Sequence, residues 1–536
     1  MKSDYSLYQA LLESKNKFPD NNALLFMGKY LKYKDLILKI DKLANGFLKL
    51  GLKQDMVLTM ALPNVFEAVF SFYAANKLGV IGHMVHPITP IKQMKKFMNQ
   101  TKSKTLIIMD SFFEQYQELL SEGIKLILVS PVSEFGLIKK VAYRLINRKK
   151  LKKIKYGINV FKLEELYVKQ SLFKEVEGDS FKTATYLHSG GTSGEPKTIE
   201  LSNYSINYLA SLVSHIMGVE DFKNKHMLAV LPMFHGFGLC MGIHGMLRFG
   251  GVNTLMPKFK AEEAIKLIHK NRINYLIGVP SLFEALLRNP KFHQPKTINI
   301  DQAFIGGDYV AMDLKKHFDQ AMSNVKSQAK LLEGYGLTEV VTVCCVNTLA
   351  CHLHNSVGKP LPGIDIAIRD LDTLEFIDKN LNGEIVISGP TIMKGYLNDL
   401  EATNSTIFKR DGRKWVASGD LGFIDEAGFI HFKQRLKRII KVSGIPVLPA
   451  EIENLMMSYE AISEVGAIGV ADEIKGNVIK LFIVYGENQR VFENEKIKEI
   501  IKSNLGIYAV PKDIVILNQL PKTPIGKTDV LALEKM

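Results

Sequence analysis

Between residues 57 and 335, short apolar runs alternate with stretches of helical period, and this alternation restricts the fold more than any other feature. Strands are expected over 57–62, 104–110, 124–130, 183–187, 227–232, 275–279 and 298–305. Helices are expected over 63–77, 93–100, 111–120, 203–217, 237–249, 261–270 and 281–287, after two amphipathic helices at 7–15 and 33–50. Strand and helix in turn, at this spacing, describe parallel sheets covered on both faces. From residue 364 the pattern changes to short strands and turns, at 364–369, 383–388, 415–420 and 429–432, which marks a small antiparallel region. After 434–441 come a helix (449–458), strands (465–470 and 479–485), a helix (493–504) and a strand (514–517). That is the size of an independent α+β domain. The expected fold is thus α/β: a large composite N-terminal part with a β-rich subdomain, then a smaller α+β part. A chain of 536 residues is too long for one core.

The start of the chain, MKSDYSLYQALLESKNKFPD, lacks the apolar core of a signal peptide, and the most apolar run, 66–85, is interrupted by Glu67, Asn76 and Lys77. Four cysteines, two of them adjacent, make neither a disulfide framework nor a zinc cluster, so a reducing, cytoplasmic location is the expectation. The formal charge is +14, and residues 139–155 hold nine basic residues and no acidic one. Such a run is either a solvated basic helix or a surface for anionic lipid or an acidic carrier protein. Aromatic residues are not interleaved as a single-strand nucleic-acid groove requires, and no nucleic-acid partner is expected.

Ligands of α/β sheets bind at strand ends, and four polar, glycine-containing clusters fall there. The first is YLHSGGTSGEPK, 186–197. Its glycines admit a tight turn and close ligand approach, its hydroxyls and backbone N–H groups suit phosphate, and Lys197 adds a cation. It is not a GxxxxGK[ST] loop, since Lys197 follows Pro196. The others are 234–238, 306–308 and 334–339. Tyr335 offers a ring for a base, Glu339 a carboxylate for magnesium and Asp420 an acceptor for ribose hydroxyls. Lys527 sits in a Pro/Gly-restrained loop, where its ammonium can offset charge developing on an α-phosphate.

In order and spacing, segments 186–197, 231–238, GYGLTE at 334–339, SGD at 418–420, 435–453 and PKTPIGK at 521–527 resemble the signature segments of the adenylate-forming superfamily. That superfamily comprises acyl-CoA synthetases, peptide-synthetase adenylation domains and beetle luciferases. The resemblance spans essentially the whole chain. It implies an N-terminal domain over 1–433, a hinge at 434–441 and a mobile C-terminal lid domain over 442–536. It also implies a two-step reaction in which a carboxylate and ATP with Mg2+ give an acyl-adenylate and pyrophosphate, and a thiol then attacks after the lid rotates.

By the same resemblance Ser189, Gly190, Thr192, Ser193, Gly194 and Lys197 form the phosphate loop. Tyr335 stacks on adenine beside Gly307 and Gly336, and Thr338 lies at the phosphates. Thr192 and Glu339 meet the metal, while Asp420 and Arg435 hold the ribose. Lys437 is the hinge, Lys527 the lysine of the first half-reaction, and Lys441 and Gly444 belong to the face that serves the second. Lys527, His235, Glu339 and Thr192 are expected to carry the chemistry. Departures from the pattern are Ser418 for a usual Thr, Gln434 for a usual Gly or Asp, and no basic residue soon after Lys527.

Amino-acid-activating relatives carry an aspartate directly after the phenylalanine of the 231–238 segment, where this chain has His235 after Phe234. An unpaired ammonium in an apolar pocket is costly, which favours an acid lacking an α-amine. Gly336 stands where a tryptophan shortens the pocket of acetate-activating relatives. With Phe234, His235, Gly306 and Gly307 it suggests an acyl pocket of some depth, ordered fatty acid, then aryl acid, then amino acid. Coenzyme A is the expected thiol and a separate acyl carrier protein the alternative. A nucleotide-binding scaffold without catalysis is the contrasting class.

Overall fold

Strands such as Thr105–Met109 and Lys125–Val129 are apolar at almost every position because both faces of their sheet are covered. The computed structural model describes residues 5–169, 179–189, 196–308, 310–472, 475–486, 491–522 and 528–536. The chain forms two compact units. The first takes the chain up to Ser189 with Pro196–Asp365 and Ile387–Val416; the second takes Ile366–Val386 and Ala417–Met536.

Among the described residues two sheets build the first unit. One runs Gly395–Tyr396, Thr198–Ser202, Thr183–His188, Ile81–Met84, Val57–Ala61, Thr105–Met109, Lys125–Val129 and Val160–Lys162. It is parallel from Thr183–His188 onward, and Thr198–Ser202 and Gly395–Tyr396 add antiparallel strands at the other edge. The other runs Lys359–Pro360, Cys345–Val346, Leu331–Tyr335, Gln302–Ile305, Tyr275–Gly278, His226–Ala229, Val252–Leu255, Asn22–Phe26 and Lys29–Lys32. Buried helices connect the sheets. A Cβ at Gly82 would lie 3.3 Å from Phe72 of the helix Phe66–Lys77, which packs on the first sheet. A Cβ at Gly242 would lie 3.0 Å from Ile277 of the second sheet. Tyr73 and His244 join the two helices across the layer, with the hydroxyl 2.8 Å from Nδ1. Every residue of Phe66–Lys77 except the last is buried, as the apolar run requires.

The observed architecture is the α/β fold that the alternation predicts, with local differences. Residues 237–249 wind as a π-helix over Phe237–His244 before an α-turn over Gly245–Arg248, and Gly238 within it lies too close to the carbonyls of Leu231 and Pro232 for a side chain. The segment 111–120 forms short turns, Asp110–Phe112, Phe113–Tyr116 and Gln117–Glu122. Of 298–305 only Gln302–Ile305 is strand, since Pro295–Asn299 forms a 3-10 turn. Asn22–Phe26, Thr198–Ser202 and Val252–Leu255 are further strands, and Met312–Asn324 is a further helix.

In the second unit Ile462–Asp472 pairs antiparallel with Gly476–Tyr485, which pairs parallel with Asp513–Ile516. The helices Pro449–Met457 and Asn494–Leu505 cover this sheet through Ile452, Met456, Ile497 and Ile501. The strand Arg413–Ile424 carries the chain out of the first unit, so the second already includes 417–433.

Candidate active site

In the first unit, the candidate residues lie where strands end. Thr183–His188 and Thr198–Ser202 form a hairpin around the glycine-rich loop, and Ser189 closes its base. The Ser189 amide donates to the Lys197 carbonyl (2.9 Å), and the Lys197 amide donates to Ser189 Oγ (3.0 Å). Gly190, Thr192, Ser193 and Gly194 lie outside the described residues. Lys197 directly precedes the strand Thr198–Ser202, its Nζ 4.5 Å from the centre of the Tyr396 ring. The same tyrosine donates its hydroxyl to Glu339 Oε1 at 2.8 Å. Burial and the Glu339 carboxylate raise the Tyr396 hydroxyl above its ordinary range, which keeps it a donor.

Glu339 sits in the 3-10 turn Thr338–Val340, just past the strand Leu331–Tyr335, and its carbonyl accepts from the Met393 amide at 2.8 Å. Val341 closes this turn at φ 71°, a strained conformation for a β-branched residue. Lys197, Tyr396 and Glu339 therefore form one chain: cation, ring, carboxylate. Tyr396 was not among the expected site residues. The tyrosine carries no sequence signal of its own; only the pairing of Tyr396 with Ile199 brings it beside Lys197. Tyr335 and Thr338 are half-buried at the same strand end.

At the end of the strand Thr183–His188 lies a second group that carried no chemical expectation. His188 stacks on Phe97, with ring centres 3.8 Å apart, and its Nε2 is 2.8 Å from Nε2 of His83. His83 is fully buried, and its Nδ1 is 3.0 Å from Thr59 Oγ1. One proton between the two imidazoles satisfies this contact. Burial lowers His83 well below the ordinary histidine range; burial and nearby His235 lower His188 to about 4. Both are neutral at pH 7.

Phe234 is buried, with its ring 4.8 Å from His86 and 4.7 Å from His235. Asn64 fixes this segment: Nδ2 donates to the Ala229 and Leu231 carbonyls at 2.9 Å each, and Oδ1 accepts from the Met233 amide at 3.1 Å. A Cβ at Gly306 would lie 2.6 Å from the Gly334 carbonyl, and one at Gly336 would run into that of Thr342. Close backbone approach is thus sufficient reason for glycine at both positions, whatever depth they lend a pocket. Gly307 adopts φ 83°, which favours glycine.

In the second unit, Asp420 and Arg435 face each other on paired strands, with Nε 3.7 Å from Oδ1; Asp420 is 5% exposed. Ser418 shapes the approach: Oγ donates to the Ile385 carbonyl (2.6 Å) and accepts from the Asp420 amide (3.0 Å). Gly419 donates to Glu384 Oε1 at 2.9 Å, and Arg369 pairs with that carboxylate. Gln434 accepts from the Ala450 amide at 3.3 Å, tying its strand to the next helix.

Arg435, Lys437 and Lys441 are exposed. Lys441 lies in the hairpin of Ile440–Val442 and Ile445–Val447, whose turn is Ser443 (φ 52°) and Gly444 (φ 81°), both in the left-handed region. Lys527 lies outside the described residues; its flanks Lys522 and Thr528 form an antiparallel bridge, and Lys522 pairs with Glu464 at 2.5 Å.

In the first unit a cation and a carboxylate thus meet at one tyrosine beside a strand end, and the comparisons with known proteins say which family builds such a chain. The AMP-binding enzyme family matches residues 11–397, and the C-terminal domain of AMP-binding enzymes matches 451–527. The chain belongs to this family, the adenylate-forming enzymes that include acyl-CoA synthetases. Among its relatives is a long-chain-fatty-acid–CoA ligase of Bacillus subtilis (strain 168), 28% identical over 97% of this chain and 93% of the relative. A 4-coumarate–CoA ligase of Humulus lupulus is 28% identical over 97% of this chain and 92% of that protein. The fold matches that of a benzoate CoA ligase from Burkholderia xenovorans LB400, with a TM-score of 0.84 and 20% identity over 99% of this chain and 100% of the other.

Proposed function

We propose that this AMP-forming acid–thiol ligase activates a medium- or long-chain fatty acid as its acyl-adenylate and passes the acyl group to coenzyme A. The observation that carries the reading is the Lys197–Tyr396–Glu339 chain at the ends of the strands Thr198–Ser202 and Leu331–Tyr335. It sets a cation and a carboxylate on either side of one ring, where a triphosphate and its counter-ion need both signs of charge. Tyr396 occupies one lobe of the Glu339 carboxylate, and Oε2 is the oxygen suited to a hard cation. Among the described residues no group of three or more His, Cys, Asp or Glu is suited to a metal ion. When bound, Mg2+ supplies charge neutralisation at the phosphates.

A carboxylate is a poor electrophile because it is anionic, and joining it to AMP removes that charge and supplies a leaving group. Lys197 binds phosphate oxygens, Tyr335 stacks on the base, and Thr338 orients the phosphates. Asp420 accepts from the ribose hydroxyls while Arg435 holds its carboxylate in place. Lys527 stabilises the transition state of the first step, with Ser189, Thr192 and Ser193 donating from the loop. A lysine that occupies the α-phosphate leaves no path for a thiol, so a rotation about Lys437, within 434–441, separates the steps and presents Lys441 and Gly444.

His235 in place of an aspartate, beside the buried Phe234, supports an acid without an ammonium. The fatty-acid-specific name of the Bacillus relative supports an alkyl chain. The coumarate and benzoate ligases support an aryl acid as the second reading. The test is ATP–pyrophosphate exchange with alkyl acids from C2 to C18, benzoates and amino acids, followed by coenzyme A or acyl carrier protein as acceptor. Exchange peaking among the longer alkyl acids, with acyl-CoA formed, is expected. Exchange confined to aryl acids overturns the substrate, and transfer to carrier protein alone overturns the acceptor.

A further inference from the structure

The helix Leu137–Ile146 is turned inside out. Leu137, Ile138, Val141 and Leu145, at i, i+1, i+4 and i+8, form one continuous apolar face, and they are 75%, 85%, 44% and 67% exposed. The opposite side, at Lys140, Tyr143 and Asn147, is the less exposed one. There Tyr143 donates its hydroxyl to the carboxylate of Asp110, anchoring the helix to its own unit. Lys139 helps, donating to the Met27 carbonyl at 2.6 Å with its ammonium 4.4 Å from the Phe135 ring. A surface helix ordinarily buries its aliphatic stripe and shows its polar side to water. Here the polar side is docked and the aliphatic stripe faces out. Arg144 flanks the stripe, and Arg148, Lys149 and Lys150 follow in the short helix Arg148–Leu151, all exposed. Residues 137–155 contain no acidic side chain.

We propose that this face is a docking surface for an anionic phospholipid bilayer, on which the helix lies in the plane of the headgroups. Charge complementarity commits the occupant: aliphatic side chains enter the acyl boundary while the adjacent cations meet lipid phosphates. A nucleic acid would leave the aliphatic stripe in water, and an acidic protein surface offers it no apolar counterpart. Among the described residues no helix is long and apolar enough to cross a membrane, so the mode is lying on the bilayer. The inference stands apart from the substrate assignment.

The test is flotation of the full chain with vesicles of phosphatidylcholine alone or mixed with phosphatidylglycerol. Binding is expected only to the mixed vesicles and should fall as salt rises. The pair Ile138→Glu and Leu145→Glu should abolish it. The triple change Arg148→Ala, Lys149→Ala and Lys150→Ala should weaken it roughly hundredfold, at about fivefold per charge. Unchanged ATP–pyrophosphate exchange without vesicles shows that these variants are folded. No flotation with the mixed vesicles at low salt, equal binding to both vesicle types, or full binding by the Glu pair would overturn the proposal. So would a wild-type dimer that the Glu pair converts to a monomer, since a second copy would then be the occupant.

Discussion

In the first unit Glu339 is held by Tyr396 and by a backbone bond from Met393, while His188 is locked between Phe97 and His83. In the second, Lys437 and Lys441 are exposed, and what is fixed there is the Asp420–Arg435 pair and the backbone of the Ser418–Asp420 turn and the Ser443–Gly444 hairpin. The first arrangement suits groups that receive a substrate in one geometry, because dipoles already oriented need no reorganisation. The second suits long cations that serve one step and withdraw in the next, with their stems aimed by the turn beneath them. Substitutions in the first unit should therefore spread through a network, whereas those in the second should divide cleanly between half-reactions.

The strongest way to break this contrast is Lys527→Ala. Loss of one preorganised donor at the transition state costs about 3 kcal/mol or more, so exchange should fall by roughly two hundredfold or more. Capture of a chemically supplied acyl-adenylate by coenzyme A should stay near the parent rate. Loss of both activities together would show that the second unit does not partition them. Gly444→Leu should do the reverse. No atom lies within 4 Å of a Cβ at Gly444, so the unit accommodates the side chain, with a local strain of about 1–2 kcal/mol from its positive φ. Thioester formation should fall about a hundredfold through misplacement of the thiol face, with exchange retained. Rapid-quench measurement of each half-reaction decides both.

Tyr396→Phe probes the network side. The ring beneath Lys197 remains, but Glu339 loses a donor to a charged acceptor, a bond worth about 1.5 kcal/mol. Exchange should drop about tenfold with a raised Mg2+ requirement, while capture of supplied adenylate is unchanged. Parent-like exchange at limiting Mg2+ would remove Tyr396 from the site.

What the sequence made legible is local: strand–helix alternation, the glycine-rich loop, GYGLTE, SGD and the tail lysine are each contiguous. The residues it hid act across long separations. Tyr396 meets Glu339 and Lys197 only because Gly395–Tyr396 adds to the edge at Thr198–Ser202. Asn64, read as the start of a helix, instead ties one sheet to the strand end of the other. His83 and His188, 105 residues apart in sequence, become a pair only when their strands align in parallel. The exposed stripe of 137–146 has the opposite history. Its composition was visible, but which side faced outward depended on the tertiary bond from Tyr143 to Asp110.

The smallest expected effect concerns that histidine pair. His188 is held at about 4 in the fold, against an ordinary value near 6.5. Below pH 6.5 the unfolded chain therefore binds more protons than the folded one. The pair's contribution to stability is whole above that pH and is lost progressively toward pH 4. Glu67, pushed up to about 7 by burial, works with the opposite sign, because there the fold holds the extra proton and stability falls as pH rises from 4.5 to 7. The two partly cancel in the parent, so only a difference isolates the imidazoles. The double variant His83→Val, His188→Thr should lose less melting temperature between pH 7 and pH 5 than the parent, by about 3 °C. Equal shifts in both proteins would mean that the pair is protonated as readily in the fold as out of it.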